Sequence, residues 1–307
     1  MQNIYVSGLG AIGSAYAGRL YDMDPGCVKV IADAERIKRY SENGVSINGK
    51  PYPFSYILPS AKEATADLII VAVKQHHLEQ AISDISSFVG ENTVIMSLLN
   101  GISSETIIGE RFGMEKMLYA FCVGTDAVRE GTGTCYSSIG RIVFGEKQNK
   151  ELSKRVAAVK QLFEKADIPH VVPENMIREQ WWKFMMNVGV NQTSAILKAP
   201  YGVFQRVKEA RELMFEASRE VVRLSEKAGI NLDDSDVENY MPILASLAPE
   251  GKTSMLQDVE ASRKTEVEIF AGTVIELGKK YGVETPVNAM YYKMIRAIEQ
   301  IYSDAAL

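Results

Sequence analysis

Three polar side chains recur at every fourth residue of one apolar stretch: Lys183, Asn187 and Asn191, set among Trp181, Trp182, Phe184, Met185, Met186, Val188 and Val190. On a helix they form a single stripe about 12 Å long. A lysine in such surroundings loses hydration of its charge, so its pKa falls toward the working pH and it can protonate an oxygen on which negative charge is developing. The asparagines can hold a hydroxyl or carboxylate without adding charge; by spacing alone the stripe could equally face water. A carboxylate, Glu266, falls on the inward side of the period Val259, Ser262, Glu266, Phe270, Thr273 and Leu277. There it needs a partner such as Lys183 or a substrate hydroxyl, or else serves a structural ion pair with Arg263. Ser254 opens the same segment, either as a helix N-cap or as a hydroxyl beside free N–H groups where a carboxylate can sit.

A second set of residues is built for an anion. Gly8-Leu9-Gly10-Ala11-Ile12-Gly13 follows the apolar run Ile4-Tyr5-Val6 and precedes a helix-like segment from Ala11 to Tyr21. In that context Gly8 permits a tight turn, Gly10 lets a pyrophosphate approach bare backbone, and Gly13 lets helix and strand pack closely. Asp33 ends the next strand, Val28 to Ala32, where a carboxylate accepts ribose hydroxyls and repels a 2′-phosphate, so it leans toward NADH over NADPH. Arg36, Lys38 and Arg39 lie beyond it, on a solvated face or within reach of a phosphate. The buried run Leu68 to Val73 ends in Lys74, and Thr93 to Leu98 leads to Asn100-Gly101. Ligands gather outside the carboxyl ends of such strands, although Lys74 also reads as a strand-end cap and Asn100-Gly101 as a plain turn.

The elements that must carry these residues fall into two halves. Strand and helix signals alternate up to Pro173, with Asn48-Gly49 as a hairpin turn between Val45 to Ile47 and Tyr52 to Tyr56, and with Cys135 to Ile139 and Arg141 to Phe144 as an antiparallel pair. Lys150 to Lys165 reads as a helix and Pro169 to Val172 as a last strand. From Glu174 onward the segments are long and helix-periodic: Ile177 to Leu197, Phe204 to Ala228, Asp233 to Leu247, Ser254 to Tyr281 and Pro286 to Ile301. The expected organisation is a Rossmann-type α/β domain over residues 1–173, binding the dinucleotide, and an all-α domain over 174–307, holding substrate and catalytic groups.

The chain has 307 residues, 46% hydrophobic and 24% charged, with a net charge of −5. That acidic balance argues against nucleic-acid or anionic-membrane partners. No run approaches the ~20 apolar residues of a membrane span, and no cleavable leader is evident, so a cytoplasmic protein is expected. Cys27, Cys122 and Cys135 are far apart and read as reduced thiols. With His76, His77 and His170 they offer no metal-ligand spacing, so no metal is expected.

The motifs together resemble the ketopantoate reductase (2-dehydropantoate 2-reductase) family over nearly the whole length. They are G-L-G-A-I-G at Gly8 to Gly13, V-K-Q at Val73 to Gln75, L-N-G at Leu99 to Gly101, W-K-F-M-M-N-V-G-V-N at Trp182 to Asn191, and S-M-L-Q-D-V-E-A-S-R-K-T-E at Ser254 to Glu266. The resemblance implies NAD(P)H-dependent reduction of ketopantoate to pantoate, in the route to pantothenate and coenzyme A, in the cleft between the halves. It makes Lys183 the general acid and Glu266 the group that orients substrate. Asn187, Asn191 and Ser254 become substrate contacts, and Asn100 and Lys74 cofactor-side and cleft residues. Three departures stand out. Asp33 replaces an arginine that commonly receives NADPH, the family default; Gly251 stands where some members have an asparagine three residues before the serine; Leu99 replaces a glutamine often seen before Asn-Gly. A related dehydrogenase acting on another 2-keto or hydroxy acid is one alternative, and a dinucleotide-binding sensor without catalysis is another. A homodimer is left open.

Overall fold

The structure is a computed structural model and describes residues 1–305, with side chains through Tyr302. The chain divides into two compact units, Met1–Met176 and Ile177–Leu307.

The first unit runs β1 (Ile4–Ser7), α1 (Ala11–Met23), β2 (Val28–Ile31), α2 (Ala34–Asn43), β3 (Ser46–Ile47), β4 (Lys50–Pro51), β5 (Ser55–Ile57), β6 (Leu68–Val71), α3 (Leu78–Ile85), β7 (Val94–Ser97), α4 (Ser104–Phe112), β8 (Met117–Val123), β9 (Val128–Glu130), β10 (Gly133–Cys135), β11 (Arg141–Gly145), α5 (Lys154–Lys165) and β12 (His170–Val171). Six parallel strands lie in the order β5-β2-β1-β6-β7-β8, with Ile4 opposite both Val28 and Leu68. This is the doubly wound order of a Rossmann domain, and its reversal point falls between β1 and β6. β8 then pairs antiparallel with β11, and β11 parallel with β12. Alternate residues of each central strand feed two cores: Ile4, Val6, Leu68 and Ile70 pack with α1 and α5, while Tyr5, Ile69 and Val71 pack with α3 and α4. Apolar residues on both alternations are thus what a strand covered on both faces requires.

A second sheet, β4-β3-β10-β9, corrects two expectations. The Asn48-Gly49 turn does form, with φ of +49° and +78°, but a two-residue turn sets Ile47 opposite Lys50, so the return strand is β4. The segment expected to pair next, Tyr52 to Tyr56, runs into β5 (Ser55–Ile57), which joins the main sheet beside β2 instead. Nor do Cys135 to Ile139 and Arg141 to Phe144 pair with each other. Cys135 ends β10, whereas β11 enters the main sheet against β8. Gly140 (φ +67°) allows that entry, since a Cβ there would lie 2.3 Å from the Val123 carbonyl oxygen.

The second unit is helical: α6 (Met176–Leu197), α7 (Tyr201–Arg206), α8 (Lys208–Lys227), α9 (Asp234–Glu238), α10 (Tyr240–Ser246), α11 (Ser254–Glu260), α12 (Thr273–Tyr281) and α13 (Pro286–Ala305). Three of the expected long helices are broken. Val207 is extended, and Arg211 donates to the Phe204 and Gln205 carbonyls left open at the end of α7. Pro242 has no N–H to bond the Glu238 carbonyl, so α9 and α10 separate. The largest departure is at residues 254–281. α11 stops at Glu260, and Ser262 turns left-handed (φ +51°) with Ser262 N–H on the Val259 carbonyl and Arg263 N–H on the Asp258 carbonyl. This is a Schellman stop with serine where glycine is usual. The helical period through Ser262 and Glu266 is therefore not a real face; Glu266 sits in a connecting turn ahead of a π-turn at Glu268–Gly272. Among the described residues, no helix is long and apolar enough to cross a membrane.

Candidate functional site

At the carboxyl edge of the first unit's sheet, the turn after β1 packs on the segment after β6. Gly8 (φ +101°) has no room for a side chain, because a Cβ would fall 2.6 Å from the Ala72 oxygen. A Cβ on Gly13 would lie 1.9 Å from the Gly8 oxygen. Gly10 differs: it is exposed, and a Cβ there would meet only the Ala72 oxygen, at 3.8 Å. Leu9 is buried, and Ala11 and Ile12 are half-buried. Gly10 also serves as N-cap of α1, with no side-chain cap and no acidic residue in the first turn. The positive end of α1 thus opens above bare backbone, the requirement for a pyrophosphate. The residues present fit a dinucleotide.

Asp33 follows β2 and caps α2, accepting the Arg36 amide at 2.7 Å, with the Arg36 guanidinium 3.5 Å from its other oxygen. About half of the carboxylate remains exposed, at 51%. Capping therefore holds the side chain at the strand end without burying it. Lys74 and Asn100, after β6 and β7, are half-buried, and Gly101 takes φ +89°. His76 and His77 are exposed.

In the second unit α6 is covered on most of its circumference. Phe184, Met185, Met186, Val188 and Val190 are buried, Lys183 and Asn187 are half-buried, and Asn191 is buried at 7% exposure. Lys183 and Glu266 are each engaged within the fold, and Glu266 is half-buried.

Ser254 is not the cap of α11. Thr253 is: its Oγ1 accepts the Leu256 amide at 3.2 Å, leaving Ser254 exposed in the first turn. Two adjacent hydroxyl residues offer no local signal to choose between them. Arg263, the expected structural partner of Glu266, is instead bonded to Asp258 at 2.9 Å. Among the described residues there is no cluster of three or more His, Cys, Asp or Glu that could hold a metal.

Comparison with known proteins adds the following. A family model described as ketopantoate reductase PanE/ApbA matches residues 4–149, and one described as ketopantoate reductase PanE/ApbA C terminal matches 175–299. A 2-dehydropantoate 2-reductase of Aquifex aeolicus is 28% identical over 304 residues, covering 96% of each chain. Among solved structures, a ternary D-mandelate dehydrogenase with NADH and anilino(oxo)acetate superposes with a TM-score of 0.87 at 25% identity, over 98% of this chain and 99% of that one. A dimeric ketopantoate reductase from Staphylococcus aureus has a TM-score of 0.81 at 20% identity, with coverages of 98% and 99%, and speaks for the fold alone.

Proposed function

Because the chain belongs to the ketopantoate reductase PanE/ApbA family, we propose that it reduces the keto group of a small 2-keto acid with NADH, ketopantoate being the first substrate assigned. It is an NAD(P)H-dependent oxidoreductase, and the non-catalytic alternative is set aside. The observation that carries the reading is the α6 stripe, a half-buried lysine followed one and two turns on by a half-buried and a buried asparagine, set among the buried Phe184, Met185, Met186, Val188 and Val190.

Gly8, Leu9, Gly10, Ala11, Ile12 and Gly13 would hold the cofactor's phosphates, Asp33 its ribose hydroxyls, and Lys74 and Asn100 the side nearer the reaction. When bound, the nicotinamide supplies hydride. Lys183 donates a proton to the carbonyl oxygen as negative charge gathers there, a contribution of about 10²–10⁴-fold. Asn187 and Asn191 donate to the keto acid's oxygens, the Ser254 hydroxyl holds its carboxylate, and Glu266 accepts a hydrogen bond that orients substrate. NADH is favoured because an exposed Asp33 carboxylate repels a 2′-phosphate.

A second substrate class has its own support. Gly251 stands where the family resemblance implies an asparagine in some members, and a Cβ there would lie 2.9 Å from the Tyr201 ring. An asparagine would have to displace that aromatic, so the hydrogen bond it would give to a hydroxylated substrate is lost. The likeness to D-mandelate dehydrogenase points the same way, toward a 2-keto acid with an apolar or aryl substituent. The test is nicotinamide oxidation with ketopantoate and with the keto acid of mandelate, each with NADH and NADPH. Turnover of ketopantoate with NADH supports the first assignment, turnover of the aryl acid alone supports the second, and oxidation by neither overturns both.

A further inference from the structure

A single π-turn, Glu268–Gly272, separates Glu266 from α12. Its bonding leaves one amide over. The Gly272 N–H takes the Val267 carbonyl at 3.0 Å, the acceptor that Ala271 would use in a regular α-helix. The Ile269 and Phe270 amides both go to the Glu266 carbonyl, at 3.1 and 3.3 Å. The displaced Ala271 N–H is accepted by the Gln192 side-chain oxygen at 3.1 Å. Ala271 and Gln192 are both 0% exposed, so water cannot replace that acceptor.

Gln192 is itself held in one orientation. Its amide nitrogen donates to the Val188 carbonyl at 2.8 Å and to Asn288 Oδ1 at 3.0 Å. Asn288 in turn donates to Glu220 at 2.7 Å, and that carboxylate also accepts the Val287 and Asn288 amides at the start of α13. Gln192 is therefore clamped with its oxygen toward the π-turn.

A π-turn inserts one residue into the helical count, so everything before it is rotated by about 100° and shifted about 1.5 Å relative to a continuous helix. Glu266 lies two residues before it, and its carbonyl accepts the Ile269 and Phe270 amides of the turn. We propose that Gln192 is a positioning residue: by accepting the Ala271 amide it holds the π-turn, and the π-turn sets the direction in which Glu266 presents its carboxylate. This inference rests on the reading of Glu266 as the group that orients a 2-keto acid.

The test is a double-mutant cycle on the intact protein. Gln192→Met keeps the side chain's length and removes the acceptor. It is expected to lower kcat/KM for the keto acid by about 30- to 100-fold, with KM raised and NADH affinity within about twofold of wild type, the scale expected of a displacement near 1 Å. In a Glu266→Gln background the same change should cost less than about threefold, because its effect is transmitted through Glu266. Gln192→Asn, which keeps both the amide oxygen and the amide N–H groups one methylene shorter, should lose clearly less turnover than Gln192→Met, and it stands in if Gln192→Met does not fold. Equal losses from Gln192→Met in both backgrounds, or a loss from Gln192→Asn that persists undiminished in the Glu266→Gln background, would overturn the positioning role while leaving the functional reading standing. A wild-type protein that reduces no 2-keto acid would overturn the reading and this inference together.

Discussion

The Thr253 hydroxyl donates to the Ser194 hydroxyl over 3.1 Å while accepting the Leu256 amide at 3.2 Å, so one buried oxygen both caps α11 and ties it to α6. Ser194 lies three residues beyond Asn191, one turn further along α6. Thr253→Ala should therefore destabilise by about 1 kcal/mol, roughly 2–4 °C in melting temperature. Ser254→Ala removes an exposed hydroxyl that caps nothing. Its melting temperature should stay within about 1 °C of wild type while KM for the keto acid rises. Scanning calorimetry and initial-rate kinetics on the two variants separate scaffold from contact.

Lys183→Ala is expected to lower kcat by about 10²–10⁴-fold and leave NADH affinity nearly unchanged, since the α1 loop lies in the other compact unit. Stopped-flow turnover and fluorescence titration of NADH check the two halves of that statement. Wild-type turnover in the variant would remove Lys183 from the chemistry.

Asp33, the proposed ribose acceptor, is also the cap of α2. Asp33→Ser keeps an N-cap oxygen while removing the charge, so stability should hold. The kcat/KM ratio of NADPH to NADH should then rise by about tenfold, equivalent to 1.4 kcal/mol of relieved repulsion. An unchanged ratio would place cofactor choice elsewhere.

How much of this could be read beforehand differs from element to element. The Gly8 to Gly13 turn was legible because its demands are local: a left-handed backbone at Gly8 and a contact at Gly13 that excludes a Cβ. The alternating core of β1 and β6 was legible for the same reason. The stop after α11 was not, because Ser262 takes a conformation usually given to glycine while the apolar spacing runs on past it. The choice of β8 over Cys135 to Ile139 as partner for β11 is decided by which apolar faces need covering across the whole unit, not by neighbouring residues. Within the site, the α6 stripe follows from spacing. Gln192 does not, because its partner is an amide released by a π-turn that no periodicity announces.

Acid should weaken the first unit in a specific way. The Arg155 guanidinium bonds Glu146, at 2.7 Å from Nε, and this holds the Glu146 pKa below its ordinary value, with the Ser153 hydroxyl assisting against partial burial. A carboxylate depressed on folding stabilises above its unfolded pKa, about 4.3, and that contribution fades as pH falls through the lower folded value. Arg155→Met should thus melt roughly 2–4 °C below wild type at pH 7, for a loss of about 1 kcal/mol, and the gap should narrow below about pH 4. Melting curves at pH 7 and pH 3 check the sign; a gap that widens in acid would refute it.

The joint between the units falls at Met176, whose amide is bonded to the Lys147 carbonyl, and every strand ladder of the first unit is complete within its own stretch of chain. A gene crossover at that codon would transplant whole modules without severing any strand pairing. A crossover anywhere between Ile47 and Gly133 would instead split β3 from β10 and leave half of the smaller sheet to a foreign partner.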